Sequence, residues 1–259
     1  MKPLSILSFL CMLLAVCAFA PQTSSFEEEQ KKYPRVSAAY ERKEELFFMK
    51  CRSKEVSEEF SDMYIRVFKE ENIMEIWVKN IHGKYILFNE CKVYSMSGHL
   101  GPKRQQGDAQ VPEGFYYIND YNPLSNYHLS LGINYPNESD MILSTAANKG
   151  GDIYIHGSQV SSGCIAMSNY YIEDIYLYAV KARTRGQMKI PVHVFPFKMT
   201  VSAMNYHGVV PQLQKYLPFW NTLVDGYRIF ERKNEVPDVW VDDNGTYRYR
   251  NPIVTTASK

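Results

Sequence analysis

The sequence has almost no excess charge of either sign. It carries 29 Lys and Arg residues against 28 Asp and Glu in 259 residues, a formal net charge of +1, and it has no long basic run. Proteins that hold nucleic acid or an anionic membrane surface through charge usually carry a clustered basic excess. The composition therefore argues against nucleic acid as a partner.

Long apolar runs are equally scarce. The sequence has a single one, at its start. Residues 4–20 are almost wholly apolar, follow Lys2 and end in an Ala-Phe-Ala pattern that is typical of a signal-peptidase site. The run is shorter than the roughly 20 residues usual for a membrane span. We expect residues 1–20 to be a signal peptide and the protein to be exported to the periplasm or cell envelope. Cys17 leaves anchoring as a lipoprotein as the alternative.

Cysteine is sparse, with five in the chain, and two of them lie in the N-terminal apolar run. This count excludes a small disulfide-rich scaffold. Cys51, Cys91 and Cys164 would remain after removal of the run, and in an oxidising compartment an odd number implies one free thiol or an intermolecular bridge. The simplest pairing is a Cys51–Cys91 disulfide with Cys164 free. The alternative is that Cys51 and Cys91 are buried as small apolar residues.

The remaining composition is that of a globular protein, with 45% hydrophobic and 22% charged residues. The 20 tyrosines and the alternating Val- and Ile-rich segments favour β structure from residue 63 onward. We expect a linker and an amphipathic helix over 21–60, a catalytic domain over 61–199 with helices packed outside it, and a C-terminal α/β extension over 200–259. The predicted fold class is β-rich α+β.

Three local patterns locate elements outside the strands. Ser168 or Asn169 can cap a helix that follows the last cysteine. Pro218 lies near the start of a second amphipathic pattern, where proline is tolerated in a helix. An Asp-Asn-Gly turn over residues 243–245 separates two short strand-like segments and predicts a hairpin.

One segment, residues 155–169, carries most of the functional information. Its sequence is IHGSQVSSGCIAMSN, in which Cys164 directly follows Gly163 and lies eight residues after His156. A thiol nucleophile needs a base, and a preceding glycine lets the backbone expose N–H groups toward a developing oxyanion. The pattern predicts a cysteine acyl-transfer enzyme with Cys164 as nucleophile and His156 as base. These two residues alone lack the four ligands of a structural zinc, so no metal is predicted.

The stretch from His156 to Ile165 resembles the active-site motif of the YkuD-type L,D-transpeptidases, exported bacterial enzymes that act on peptidoglycan stem peptides. The chain departs from the usual motif at Ser162, where the family has a second histidine, and at Ala166, where it has an arginine. These departures and the shortened His-to-Cys spacing resemble the YafK-like murein subgroup. A looser resemblance extends over about residues 63–245.

The resemblance implies a YkuD-like β-sandwich or barrel core and a particular chemistry, with no cofactor. Cys164 would attack the carbonyl at the L-centre of the third stem residue, usually diaminopimelate, while His156 keeps the sulfur as thiolate. The N–H groups of Gly163 and Cys164 would be the oxyanion donors. The subgroup favours hydrolysis, either as a peptidase or by releasing a protein attached to peptidoglycan. Cross-link formation and an inactive peptidoglycan-binding protein are the alternatives.

Six further residues are expected to bind substrate: Ser161, Ser162, Gly157, Lys103, Tyr135 and Asn134. Each has a structural alternative, since the serines suit a plain turn, Lys103 and Arg104 a solvated loop, and the others ordinary packing. Asp152 is a candidate for orienting His156, although a backbone carbonyl would serve equally well.

Overall fold

The structure, a computed structural model, describes residues 24–250, so the expected signal peptide lies outside the described residues. Within this range no helix is long and apolar enough to cross a membrane. The chain forms eleven strands between residues 24 and 250, and they are β1 (Met63–Phe68), β2 (Ile73–Lys79), β3 (Tyr85–Lys92), β4 (Ser95–Met96), β5 (Gly114–Asn122), β6 (Ser130–Ile133), β7 (Tyr154–His156), β8 (Ile165–Ala166), β9 (Pro191–Phe195), β10 (Val239–Val241) and β11 (Tyr247–Tyr249).

Six α-helices and one short 3-10 helix over Gln214–Tyr216 accompany the strands in the described part of the chain. The α-helices are α1 (Phe26–Lys31), α2 (Pro34–Ser53), α3 (Glu138–Leu143), α4 (Asn169–Thr184), α5 (Val201–Gly208) and α6 (Leu217–Lys233). The predicted cap of α4 is confirmed, because the Ser168 hydroxyl accepts a hydrogen bond from the Tyr171 N–H at 3.2 Å. Pro218 lies in the first turn of α6, as predicted.

Nine of the strands form one mixed sheet, a half-barrel in the order β3-β2-β1-β9-β5-β6-β7-β8-β4. The β1–β9 and β7–β8 pairs are parallel and the others are antiparallel. The β-rich α+β class predicted from the sequence is therefore confirmed. The remaining two strands, β10 and β11, form the predicted C-terminal hairpin.

Strand β1 is buried along its whole length because helices cover both faces of the sheet at this point. Met63, Ile65 and Val67 join the core cluster that contains side chains of α2 and α4. Phe68 belongs instead to the cluster around Trp220 of α6. Alternate residues of one strand thus anchor helices on opposite faces.

The region after residue 200 packs on the second face of the sheet. Arg66 of β1 is 4% exposed and forms ion pairs with Glu75 of β2 and Glu231 of α6. The Phe115 ring lies 4.8 Å from the Tyr247 ring, edge to face. These contacts join α6 and the hairpin to the sheet through both charge and aromatic packing.

Two expectations for the N-terminal region differ from the structure. Residues of the expected linker form α1, because Ser25 and Glu28 make a reciprocal capping box at its start. The Cys51–Cys91 disulfide is also wrong, since both residues are free thiols. Burial raises the pKa of each to about 12, as expected of thiols packed as small apolar residues.

Candidate active site

Cys164 and His156 are brought together by two neighbouring parallel strands. His156 ends β7 and pairs with Ala166 of β8, which places Cys164 level with Tyr154. Alternate residues of a strand point to the same face, so Cys164 and His156 are diagonal neighbours on one face of the sheet. Both line a cavity of about 290 Å³, together with Asn122, Ser125, Asn126, Tyr127, Ser130, Asp152 and Tyr154.

The Cys164 thiol is held by backbone groups of β7 and of the segment before it. The Tyr154 N–H donates a hydrogen bond to Sγ at 3.4 Å, and the S–H donates to the carbonyl oxygen of Asp152 at 3.6 Å. Burial raises the pKa of Cys164, and the Asp152 carboxylate raises it further. The Tyr154 N–H and the Lys103 ammonium act in the opposite direction. The balance favours the neutral thiol.

The His156 ring is 3% exposed and is oriented by its own backbone neighbour. Nδ1 lies within hydrogen-bond distance of the Gly157 carbonyl oxygen, so Nδ1 carries the proton of the neutral ring and Nε2 is free to accept one. This carbonyl, and not the Asp152 side chain, orients the ring. Burial lowers the pKa of His156, and the Gly157 carbonyl offsets part of this effect. The resting pair is therefore a thiol and a neutral imidazole, rather than the thiolate expected from the resemblance.

A loop over residues 125–128 covers the outer side of His156. The Tyr127 ring lies 4.7 Å from the imidazole, with the two planes tilted by 34°. Arg35 of α2 donates to the His128 carbonyl at 2.8 Å, and the His128 Nε2 contacts Glu173 of α4 at 2.8 Å. Glu173 is in turn paired with Arg42 of α2 at 2.6 Å. Two helices outside the sheet thus hold the loop that packs on His156.

Gly163 is required by the backbone that presents the thiol. Its φ is +101°, and a Cβ at this position would lie 3.1 Å from the Gln110 carbonyl oxygen. Its N–H donates to the Ser97 hydroxyl at 2.6 Å. The expected oxyanion donor is therefore already engaged, which leaves the Cys164 N–H as the candidate donor.

The neighbouring small residues shape the turn. The Ser161 hydroxyl donates to the Cys164 carbonyl at 2.6 Å, and Ser162 is exposed. Gly157 allows a close approach, because a Cβ there would lie 2.8 Å from the Tyr127 carbonyl oxygen. These contacts favour the structural alternative for Ser161 and Gly157.

None of the six predicted substrate-binding residues lines the cavity that contains Cys164 and His156, and three of them are engaged elsewhere in the fold. Lys103 is buried, and its ammonium contacts Asp108 and the Gln105 carbonyl, so it is not part of a solvated loop. Tyr135 donates its hydroxyl proton to the Lys149 carbonyl at 2.9 Å. The Asn134 side-chain oxygen accepts from the Tyr117 N–H at 2.7 Å. Tyr135 and Asn134 therefore serve packing in the fold. Lys103 affects the site only through its charge, which lowers the pKa of Cys164.

These ionisation states predict the pH dependence of thiol alkylation. We expect the iodoacetamide reaction at Cys164 to speed up about tenfold per pH unit through neutrality and to level off only above the ordinary thiol pKa of about 8.5. A preformed thiolate–imidazolium pair would instead react at an almost constant rate around neutrality. Rates measured by intact-protein mass spectrometry between about pH 5 and about pH 10 separate these profiles, and a plateau below neutrality would contradict the neutral pair.

Comparison with known proteins identifies the family of the chain. A family model described as the L,D-transpeptidase catalytic domain, YkuD, matches residues 62–194. The protein named "Putative L,D-transpeptidase YafK" of Escherichia coli K12 is 36% identical over 195 residues, which cover 74% of this chain and 76% of that protein. Its counterpart in Escherichia coli O157:H7 gives the same values.

Two solved structures share a lower similarity. The helical cell shape determining protein Pgp2 of Campylobacter jejuni has 19% identity and a TM-score of 0.41, covering 77% of this chain and 80% of its own. Bd1075 of Bdellovibrio bacteriovorus has 20% identity and a TM-score of 0.39, covering 68% of this chain and 63% of its own. On the family match and the identity to YafK, the chain belongs to the YkuD family and is an L,D-transpeptidase-family enzyme acting on peptidoglycan.

Proposed function

We propose that the protein is an exported cysteine enzyme that opens a bond in peptidoglycan stem peptides through an acyl-enzyme on Cys164. The observation that carries this proposal is that Cys164 and His156 line one cavity while Gly157 fixes the imidazole with Nε2 as its base. A nucleophile, a base and a group that orients the base are the parts that acyl transfer requires. The proposed target is the carbonyl at the L-centre of the third stem residue, diaminopimelate.

The first half of the reaction follows from the resting protonation states. His156 takes the thiol proton at Nε2 as Sγ attacks the carbonyl, and the oxyanion is stabilised by backbone donors, with the Cys164 N–H as candidate. The imidazolium then gives that proton to the departing amine as the C–N bond breaks. A thioester on Cys164 remains, and His156 is neutral again.

We propose that water resolves this thioester in preference to an amine. Neutral His156 can take a proton from water as the water attacks, and the cavity has room for water beside polar partners such as Ser125, Asn126 and Ser130. The departures at Ser162 and Ala166, which resemble the YafK-like subgroup, favour the same outcome. The leaving group is then a stem residue or a protein or peptide linked to diaminopimelate.

The test is mass spectrometry of defined muropeptides incubated with the mature protein in water labelled with heavy oxygen. The substrates are cross-linked dimers, tetrapeptides and peptide-linked diaminopimelate. We expect label in the newly freed carboxylate of one of them. A Cys164→Ala variant should give none, and Cys51→Ala, which removes a buried thiol of α2, should retain activity.

Other products would overturn parts of the proposal. Exchange of an added D-amino acid into the products without label would establish transpeptidation in place of hydrolysis. An absence of change in every substrate, with binding retained, would establish a peptidoglycan-binding protein.

A further inference from the structure

The catalytic cavity contains one formally charged residue, Asp152. The other side chains that line it are neutral amides, hydroxyls, aromatic rings, the thiol and a neutral imidazole, and no Lys or Arg is among the lining residues described. A substrate group that enters this space therefore meets the Asp152 carboxylate, whereas the Lys103 ammonium, which also acts on the thiol, lies outside the lining and is paired with Asp108. Such a site attracts a cationic group and repels a carboxylate.

The Asp152 carboxylate has no side-chain partner among residues 24–250, although its backbone is closely engaged. The Asp152 carbonyl accepts the thiol proton of Cys164, and the residue adopts φ +55°, in the left-handed region. The exposed carboxylate is thus left beside the nucleophile while the main chain holds the sulfur. Neither the orientation of His156 nor any contact within the fold uses this charge.

The charge also works against the nucleophile. A carboxylate beside the thiol disfavours the thiolate, because two like charges would then face each other. The backbone geometry at this position is equally accessible to asparagine, which adopts the left-handed region readily and carries no charge. The Asp152 carboxylate is therefore available to interact with a group that binds in the cavity.

We propose that Asp152 is a specificity-determining residue that binds an ammonium group on the donor side of the substrate. This inference rests on the proposed function, in which the donor residue is diaminopimelate and carries a side-chain amine. An attacking amine must be neutral to act as a nucleophile, so the ammonium belongs to the donor and not to the acceptor. The enzyme should accordingly prefer stems whose diaminopimelate amine is free.

The first test needs no turnover. The Cys164 thiol is treated with methanethiosulfonates that carry a cationic, a neutral or an anionic group, and the reaction rates are followed by mass spectrometry. The Cys164→Ala variant is the control for reaction at other residues. We expect Asp152→Asn to lower the cationic-to-anionic rate ratio by roughly 25-fold, because loss of one nearby charge in water slows the cationic reagent and speeds the anionic one by about fivefold each. The same variant should react faster with the neutral reagent at neutral pH, because the thiol loses a like-charged neighbour.

A matched control is Asp120→Asn, which removes an exposed carboxylate that contacts the Tyr154 hydroxyl at 3.3 Å. We expect a smaller change in the rate ratio from this variant. An unchanged ratio in Asp152→Asn would overturn the proposal. Slower reaction with all three reagents would instead show that Asp152 only maintains the backbone.

The second test compares a stem peptide with its derivative acetylated on the diaminopimelate side-chain amine, in hydrolysis without an added acceptor. We expect acetylation to lower kcat/KM of the unmodified enzyme roughly tenfold, as for loss of one charge-assisted contact. Asp152→Asn should lower kcat/KM for the free amine by a similar factor and should be insensitive to acetylation. Equal losses on both substrates would overturn the proposal. If no stem peptide reacts at all, the proposed function fails and the reagent ratios still decide the role of Asp152.

Discussion

Replacing Cys164 by serine is expected to lower the rate of stem-peptide cleavage by at least about 10³-fold, since loss of a nucleophile in a comparable catalytic unit costs about 10⁶-fold. The hydroxyl has nearly the volume of the thiol but is a far weaker acid. His156 is a weak base because burial lowers its pKa. Without the carboxylate that supports the histidine of a serine triad, such a base deprotonates an alcohol much less readily than a thiol.

The measurement is kcat/KM on the muropeptide found to be cleaved, alongside the melting temperature. Cys164→Ser should melt within about 2 °C of the unmodified protein, because the side chain is only partly buried and the hydroxyl fits the space of the thiol. Cleavage within tenfold of the unmodified rate would show that Cys164 is not the nucleophile. A large loss of thermal stability would make the loss of activity structural.

The largest effect on stability is expected from Glu113→Ala. Glu113 is fully buried, and its Oε1 accepts from the Lys69 ammonium at 2.9 Å and from the Gly101 N–H at 2.7 Å. Its Oε2 accepts from the Trp220 indole N–H at 2.7 Å. Removing the carboxylate leaves a buried ammonium without a counter-charge, which costs about 3–5 kcal/mol. The expected fall in melting temperature is roughly 6–20 °C.

A second variant separates the lost charge pair from the lost packing. In Lys69→Met with Glu113→Ala no buried charge is stranded, so the double variant should be less destabilised than the sum of the two single changes. Chemical denaturation gives the free energies of unfolding. A loss below about 1 kcal/mol in Glu113→Ala, the value of one ordinary hydrogen bond, would contradict the expected role of this pair.

The features predicted correctly from the sequence are those whose causes lie close together in the chain. Ser168 caps the helix that follows it, Pro218 fits a first turn, and Cys164 and His156, eight residues apart in the chain, line one cavity. The capping box of Ser25 and Glu28 was equally local, and it would have revealed α1 in a stretch that composition alone assigns to a linker.

The features that sequence reasoning missed join residues far apart in the chain. Ser97 engages the Gly163 N–H from 66 positions away, and Glu173 holds His128 across 45 positions. Neither pair has a spacing or composition that marks it, because tertiary contacts leave no periodic signal in one sequence. Lys103 shows the same limit, since a cation flanked by glycine and polar residues proves to be buried against Asp108.

The loop that packs on His156 also limits where the chain can be truncated without disturbing the site. Arg35 and Arg42, which hold that loop, both precede the segment that matches the YkuD catalytic domain at residues 62–194. Excision at the edge of that segment would remove both guanidinium groups and leave Glu173 facing His128 alone. In this chain the segment that matches the family model is therefore shorter than the segment that keeps the candidate active site in shape.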